Sequence, residues 1–255
     1  MTAREIDKLF NQTLSGDYDD DAPWKAVHAL RRIGTREVFA TAAKWCESID
    51  PLVRARGANV LAQLGRAADH PSNNFPEESY SVITALLERE TEICPLVAAI
   101  AALGHLGNPL AVPLIVKFHS HSSAEVRYSV AFSLGCFPDD PLSVATLLHL
   151  MEDTDEDVRD WATFGLGSLS SSDSTEIRDA FLRHLNDPMD EAREEALVGL
   201  ARRKDHRVLP ALLSALEQPT TLMFEAAYLM LDMETEPEGW TGADYAAALR
   251  ERFSL

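Results

Sequence analysis

Residues 185–200 read LNDPMDEAREEALVGL and join a turn to the start of a helix. Asp187 and Pro188 form the turn signal, and more acidic residues follow them. Arg193 then begins a run of small and apolar residues that ends at Leu200. Acidic residues near a helix N-terminus are favourable because they oppose its dipole. The layout therefore predicts a turn followed by a helix with one apolar face.

The same layout recurs along the chain. Aligning on Leu200 and on the residue eight positions before it superimposes seven segments, with these starts: Ala22, Val53, Pro95, Val126, Val158, Ala192 and Leu222. The starts are 30 to 42 residues apart. The longest interval holds an apparent loop insertion near 66–76, where Pro and Asn are frequent. Internal repeats of this period indicate a solenoid.

Two columns of the alignment show how the repeated segment packs. The closing position is large and apolar throughout: Leu30, Leu61, Leu103, Leu134, Leu166, Leu200 and Met230. The position four residues after each start is nearly always small: Ala26, Gly57, Ala99, Val130, Ala162, Ala196 and Ala226. Offsets of zero, four and eight residues lie on one face of an α-helix, and small residues there let neighbouring helices approach closely.

A second periodic segment lies between these helices, for example over 109–118, 141–150, 174–185 and 207–216. Each repeat is therefore predicted to be a helix pair. We expect an all-α protein, an α-α superhelix of about seven antiparallel helix pairs. The prediction is one domain over 1–255, divided as follows: an N-terminal capping helix and acidic loop over 1–21, repeats over 22–235, and a C-terminal capping helix over 236–255.

The opening stretch resembles the HEAT repeat, in particular the bacterial HEAT-like repeats similar to those of phycobilisome lyases. The resemblance is carried there by Asp187, Pro188, Asp190 and Arg193. Residues 151–167, MEDTDEDVRDWATFGLG, match the same pattern. The resemblance covers about 22–235 and implies a HEAT-like solenoid in which Asp and Arg side chains bridge adjacent repeats at the turns. It gives this structural role to Arg54, Arg127, Asp153, Arg159, Asp187 and Arg193.

The net charge of −18 limits the classes of partner. A surface this acidic repels nucleic acid and anionic membranes, so neither is expected as a partner. A protein partner, possibly basic, fits better. The charged N-terminus is unlike a signal peptide, and no apolar run is long enough to span a bilayer. These features predict a cytoplasmic protein, and they leave its oligomeric state open.

The sequence carries no motif for catalysis, a metal or a cofactor, so we predict a non-enzymatic protein with none of the three. HEAT-like deoxyhypusine hydroxylases hold two irons with His-Glu pairs, and no His-Glu dipeptide occurs among the eight histidines. The three cysteines are isolated, which indicates neither a disulfide framework nor a zinc site. Cys46 or Cys136 could serve as a thiol donor to a tetrapyrrole, but we expect both to be small buried hydrophobic residues.

The remaining candidate is an exposed face of the repeated helix, which in HEAT proteins lines the concave side. Positions two and six after each start carry aromatic residues where a solvated helix would carry Glu or Lys. The predicted partner-binding residues are Trp24, His28, Tyr128, Phe132, Asp160, Trp161, Phe164, Glu194, Phe224 and Tyr228. Aromatic residues are enriched at binding hot spots. The alternative is that curvature buries these rings between repeats.

The predicted function is thus a HEAT-repeat scaffold or adaptor that binds a protein partner on its concave face. Two alternatives stay open. An acidic immunity or inhibitor protein would neutralise a basic protein with the same surface. A bilin-lyase-like protein would handle a tetrapyrrole in the same groove.

Overall fold

The computed structural model describes residues 2–255 and divides into two compact units, which run up to Phe137 and over Pro138–Leu255. Within residues 2–255 there are fifteen α-helices and no β-strand, apart from one isolated bridge between Ala67 and His70. Every helix in this range is too short or too polar to span a bilayer. The predicted all-α, HEAT-like class is confirmed, whereas the single domain over 1–255 stays a prediction.

The first unit holds four helix pairs. Its α-helices are α1 (Ala3–Gln12), α2 (Asp21–Ile33), α3 (Arg36–Trp45), α4 (Pro51–Ala62), α5 (Pro76–Leu87), α6 (Ile93–Leu106), α7 (Val112–Ile115) and α8 (Ala124–Leu134). Turns of 3-10 helix, Pro109–Ala111 and Val116–Phe118, flank the short α7. Each even-numbered helix packs against the odd-numbered helix before it, and within this unit α2 packs on α4, α4 on α6 and α6 on α8.

The second unit holds three helix pairs and a final helix. Its α-helices are α9 (Pro141–Leu150), α10 (Glu156–Phe164), α11 (Thr175–His184), α12 (Asp190–Arg202), α13 (Leu209–Ala215), α14 (Thr221–Met230) and α15 (Gly242–Phe253). A π-helical turn, Gly165–Leu169, follows α10, and a 3-10 turn, His206–Val208, precedes α13. Helix α12 packs against both α10 and α14, and α15 packs against α14.

All seven predicted repeat starts lie in even-numbered helices, from Ala22 in α2 to Leu222 in α14. The predicted caps correspond to α1, which packs on α2, and to α15. The expected insertion near 66–76 is the loop between α4 and α5. The helices begin where the sequence provides caps: the Asp50 side chain accepts a hydrogen bond from the Leu52 N–H, directly before Pro51.

The two aligned columns form the helix interfaces. The closing apolar residues are at most 1% exposed, from Leu30 to Met230. Gly57, in the small column, shows why size matters there. A Cβ at this position would lie 2.7 Å from the Ala42 carbonyl oxygen of α3 and 2.9 Å from the Cys46 sulfur. Helices α3 and α4 therefore approach too closely for any larger residue without a backbone shift.

Candidate functional site

Four repeats share one arginine contact at the turn before their second helix. In each, a guanidinium nitrogen donates to the backbone carbonyl six residues earlier: Arg54 to Ser48, Arg127 to His121, Arg159 to Asp153 and Arg193 to Asp187. The turn carbonyls would otherwise lack a partner in the helix. The arginine therefore holds the turn that leads into its own helix.

Two of these arginines also reach the next repeat. Arg159 donates from Nε and Nη2 to the carboxylate of Asp187, at 2.8 and 3.0 Å, and only 4% of the Asp187 side chain is exposed. Burial alone would raise the pKa of Asp187, but hydrogen bonds from Arg159 and from the Met189 N–H hold it below its ordinary value. Such bidentate ion pairs have a defined geometry and therefore fix the register between adjacent repeats.

The first unit repeats this pairing with a residue that the sequence comparison missed. Arg54 donates to both carboxylate oxygens of Glu90, at 2.6 and 2.9 Å. Glu90 lies in the turn before α6, five positions before the repeat start Pro95, which is the spacing of Asp187 from Ala192. Arg193 differs, because its carboxylate partner is Asp190 of its own helix.

In the second unit, helix α10 presents three of the predicted binding residues. Asp160, Trp161 and Phe164 are all half-buried. The Trp161 and Phe164 rings meet edge to face, with centroids 5.5 Å apart. In the repeat alignment, Trp161 and Phe164 do not occupy the closing position, which is held by the fully buried Leu166. These rings are neither fully packed nor fully solvated, as expected of side chains that lie at the edge of a groove.

Helices α12 and α14 supply the other predicted residues of this unit. Glu194 is half-buried and accepts a hydrogen bond from Thr220 Oγ1 at 2.9 Å. Phe224 stacks on Tyr245 of α15, with centroids 5.3 Å apart, so it partly belongs to the packing of the last helix. Tyr228 is half-buried on the same helix as Phe224.

Carboxylates on α10, α12 and α14 raise one another's pKa. Burial raises the pKa of Asp160 to about 6, and the charges of Glu191 and Asp157 raise it further. Burial also raises the pKa of Glu195, with Asp160 and Glu225 adding to the effect. Helix α12 packs against both α10 and α14, so these carboxylates belong to one layer of helices whose surface is acidic. We call this surface the acidic face, and its carboxylates are Asp157, Asp160, Glu191, Glu194, Glu195 and Glu225.

The first unit holds the remaining predicted residues on α2 and α8. Trp24, Tyr128 and Phe132 are half-buried, and His28 is exposed. The Phe132 ring meets His105 of α6 edge to face at 5.3 Å.

Two buried arginines in this unit were missed by the sequence comparison. Arg31 and Arg56 are 8% and 1% exposed, and their guanidinium groups lie 5.9 and 5.3 Å from the centroid of Trp24. Arg56 also lies over the Tyr18 ring at 4.1 Å and donates to the Tyr18 carbonyl. The sequence does carry an indication that Arg31 is buried, because Arg31 directly follows the closing apolar residue Leu30.

The cysteines differ in exposure. Cys46 is buried, as predicted, and burial raises the pKa of its thiol to about 12. Cys136 is exposed, so the prediction of a buried residue there is wrong: it lies just beyond the end of α8, where the chain leaves the helix stack. Within residues 2–255 no group of three or more His, Cys, Asp or Glu side chains is arranged to hold a metal ion.

Known proteins share this architecture. Protein YibA of Escherichia coli K12 is 28% identical over 220 residues, which cover 84% of this chain and 75% of YibA. An X-ray structure of E. coli YibA superimposes with a TM-score of 0.73 at 22% identity, over 99% of this chain and 96% of that one. An engineered protein gives a TM-score of 0.61 at 17% identity, over 100% of this chain and 74% of that one.

A part of the chain is also similar to an enzyme. Deoxyhypusine hydroxylase of Gallus gallus is 28% identical over 128 residues, which cover 49% of this chain and 42% of that protein. A family model described as HEAT repeats matches residues 80–167 and 144–232, more than half of the chain. With the repeated helix pairs and turn arginines described above, this match establishes that the chain belongs to the HEAT-repeat family.

Proposed function

We propose that this protein is a non-enzymatic scaffold that binds a basic protein segment on the acidic face of α10, α12 and α14. The observation that carries the proposal is the half-burial of Asp160 next to the paired rings of Trp161 and Phe164, among other carboxylates of the same face. Carboxylates that repel one another are stabilised when a cationic ligand lies between them. A Lys or Arg side chain is the natural ligand of this kind.

The aromatic residues of the face support a partner that is also partly apolar. Trp161 and Phe164 present half-buried rings beside Asp160. Covering them buries apolar area at a low cost in side-chain entropy. Arg202 of α12 already pairs with Glu225 at 2.6 Å, and Arg159 pairs with Asp187, so these cations do not neutralise Asp160. An acidic inhibitor or immunity protein would use this same surface.

A direct test measures peptide binding by fluorescence anisotropy. The probes are fluorescein-labelled peptides of alternating Lys and Leu, Lys and Ser, and Glu and Leu. We expect the Lys/Leu peptide to bind best, the Lys/Ser peptide more weakly and the Glu/Leu peptide not at all. Binding should weaken as salt is added, because exposed charges are screened.

Matched variants locate the site. The double variant Asp157→Asn, Glu191→Gln removes two exposed charges of the acidic face, and we expect it to weaken binding about tenfold, or about 1.4 kcal/mol. Glu176→Gln, Glu251→Gln removes two exposed charges from α11 and α15 and serves as the control. Equal losses in both variants would mean diffuse attraction rather than a site. Lack of Lys/Leu binding by the wild type would refute the proposal.

A further inference from the structure

We infer that a basic pocket in the first unit, between α2 and α4, binds a small molecule that carries a phosphate group. The pocket encloses about 400 Å³ and is lined by Lys25, His28, Arg31, Arg32, Gln63 and Arg66. Its volume lies within the range of about 300–1,000 Å³ that small-molecule sites occupy. All of these residues belong to the nearly neutral unit of an otherwise acidic chain.

Arg31 is the central group of this pocket. It is 8% exposed, yet its partners are neutral: Nε donates to the Asn59 carbonyl at 2.9 Å, and Nη1 donates to Gln63 Oε1 at 3.3 Å. A buried guanidinium normally lies beside a carboxylate, because an uncompensated charge in the interior is unfavourable. Within residues 2–255, no carboxylate forms an ion pair with Arg31, and its side chain lines an open pocket.

The other basic residues of the pocket also lack acidic partners, except Lys25. Among residues 2–255, neither Arg32 nor Arg66 forms an ion pair with Asp or Glu. Lys25 pairs with Asp21 at 3.3 Å, but both side chains are exposed, at 76% and 92%. Elsewhere in this unit arginines do find carboxylates, as Arg54 does with Glu90. The pocket thus brings together three arginines without a carboxylate partner in a chain with 41 acidic residues.

The positive charges of these arginines help to lower the pKa of two nearby histidines. Burial lowers the pKa of His105 to about 4, and the charges of Arg31 and Arg66 lower it further. Arg66 also donates to the His105 carbonyl at 3.4 Å, so the two residues are in contact. His28 shows the same direction: burial, then Arg31 and Arg32, lower its pKa. An anion bound in the pocket would therefore enter a region of positive potential.

The residue types favour phosphate over other anions. A guanidinium group presents a planar fork of donors that matches two phosphate oxygens, and three such groups line the pocket. The lone ammonium of Lys25 supplies a further point charge. The volume exceeds that of one phosphate group, so the ligand is expected to be a larger molecule with the phosphate at one end.

Calorimetric titration with inorganic pyrophosphate tests the inference, with citrate as a carboxylate probe. We expect wild type to bind pyrophosphate more tightly than citrate. The double variant Arg32→Gln, Arg66→Gln should weaken pyrophosphate binding about tenfold or more, because it removes two charge-assisted contacts. The control, Arg4→Gln, Lys117→Gln, makes the same change of charge at exposed positions outside the pocket and should bind like wild type.

A second measurement follows the Arg31 Nε–H resonance by NMR in the folded wild type, and we expect pyrophosphate to shift it. Lack of binding, equal weakening in both variants, or citrate binding as tightly as pyrophosphate would each overturn the inference. Peptide binding by the acidic face uses other residues and another ligand. It can therefore fail or succeed independently of this result.

Discussion

The two units of this protein share a repeat and differ in charge. The first, up to Phe137, has 16 acidic and 13 basic residues, a net charge of −3. The second, Pro138–Leu255, has 25 acidic and 10 basic residues, a net charge of −15. Both are built from helix pairs with the same buried columns. The core of a repeat therefore leaves the surface charge free to vary, and the ligands proposed for the two units are opposite in charge.

The units also differ in how they bury arginine. In the second unit, Arg203 donates to the carbonyls of Leu166, Gly199 and Ser172, at 2.7 to 3.1 Å. In the first unit, Arg56 is more deeply buried, at 1% exposed against 8% for Arg203, but its Nε and Nη1 atoms have no hydrogen-bond partner. One buried arginine therefore ties loops together, whereas the other rests mainly on aromatic rings.

The largest expected effect concerns the arginine–carboxylate pairs that join adjacent turns, which both units contain. Asp187→Ala leaves the guanidinium of Arg159 without its carboxylate in a nearly buried position, and we expect a loss of about 3 kcal/mol in the free energy of unfolding. Glu90→Ala should cause a similar loss in the first unit through Arg54. Urea unfolding measures both. The exposed Asp190→Ala is the control, and a loss no larger than the control's would contradict a shared structural role.

A smaller effect, specific to the acidic second unit, depends on pH. The pKa of Asp160 is raised to about 6 in the folded protein, so folding favours its protonated form. Its contribution to stability is therefore present below the unfolded pKa of about 4 and is lost as pH rises through about 6. Asp160→Asn should stabilise the protein at pH 7.5 by about 1 kcal/mol, after allowance for solvent screening, relative to its effect at pH 4. Urea unfolding of both proteins at both pH values measures this difference, and a pH-independent difference would contradict it.

The smallest change in stability is expected for Arg56 of the first unit, which contrasts with the buried Arg203 of the second. Arg56→Met loses the bond to the Tyr18 carbonyl but also removes two unpaired buried N–H groups, so stability should change by less than about 1 kcal/mol. Arg203→Met leaves several carbonyls without their donor and should destabilise by about 3 kcal/mol. Thermal or urea unfolding compares the two, and equal losses would remove the distinction between these buried arginines.

Much of the fold could be predicted because its signals are local. Turn residues such as Asp50 and Pro51 mark helix starts, and the columns that end at Leu30 or Leu200 mark the buried face. The turn arginines were also found, since they share one spacing. Glu90 was missed because Glu replaces Asp at this position and its repeat has Leu96 where the clearest repeats have Arg.

The binding surfaces were less predictable. The alignment located Asp160, Trp161 and Phe164 on one helix face, and the structure shows them half-buried. It did not distinguish Phe224, which is partly covered by Tyr245 of α15. That contact joins residues from separate repeats of the chain, and no spacing within one helix encodes it.

The sequence by itself determined the helix pairs, their boundaries and the family, because helix periodicity, caps and small residues act within about one repeat. Only the tertiary structure decided which charges meet. It brought the carboxylates of α10, α12 and α14 onto one face, and it grouped Arg31, Arg32 and Arg66 around a pocket without carboxylates. The physical reason is that electrostatic effects depend on distance and burial, which helix packing sets between residues that are far apart in the chain.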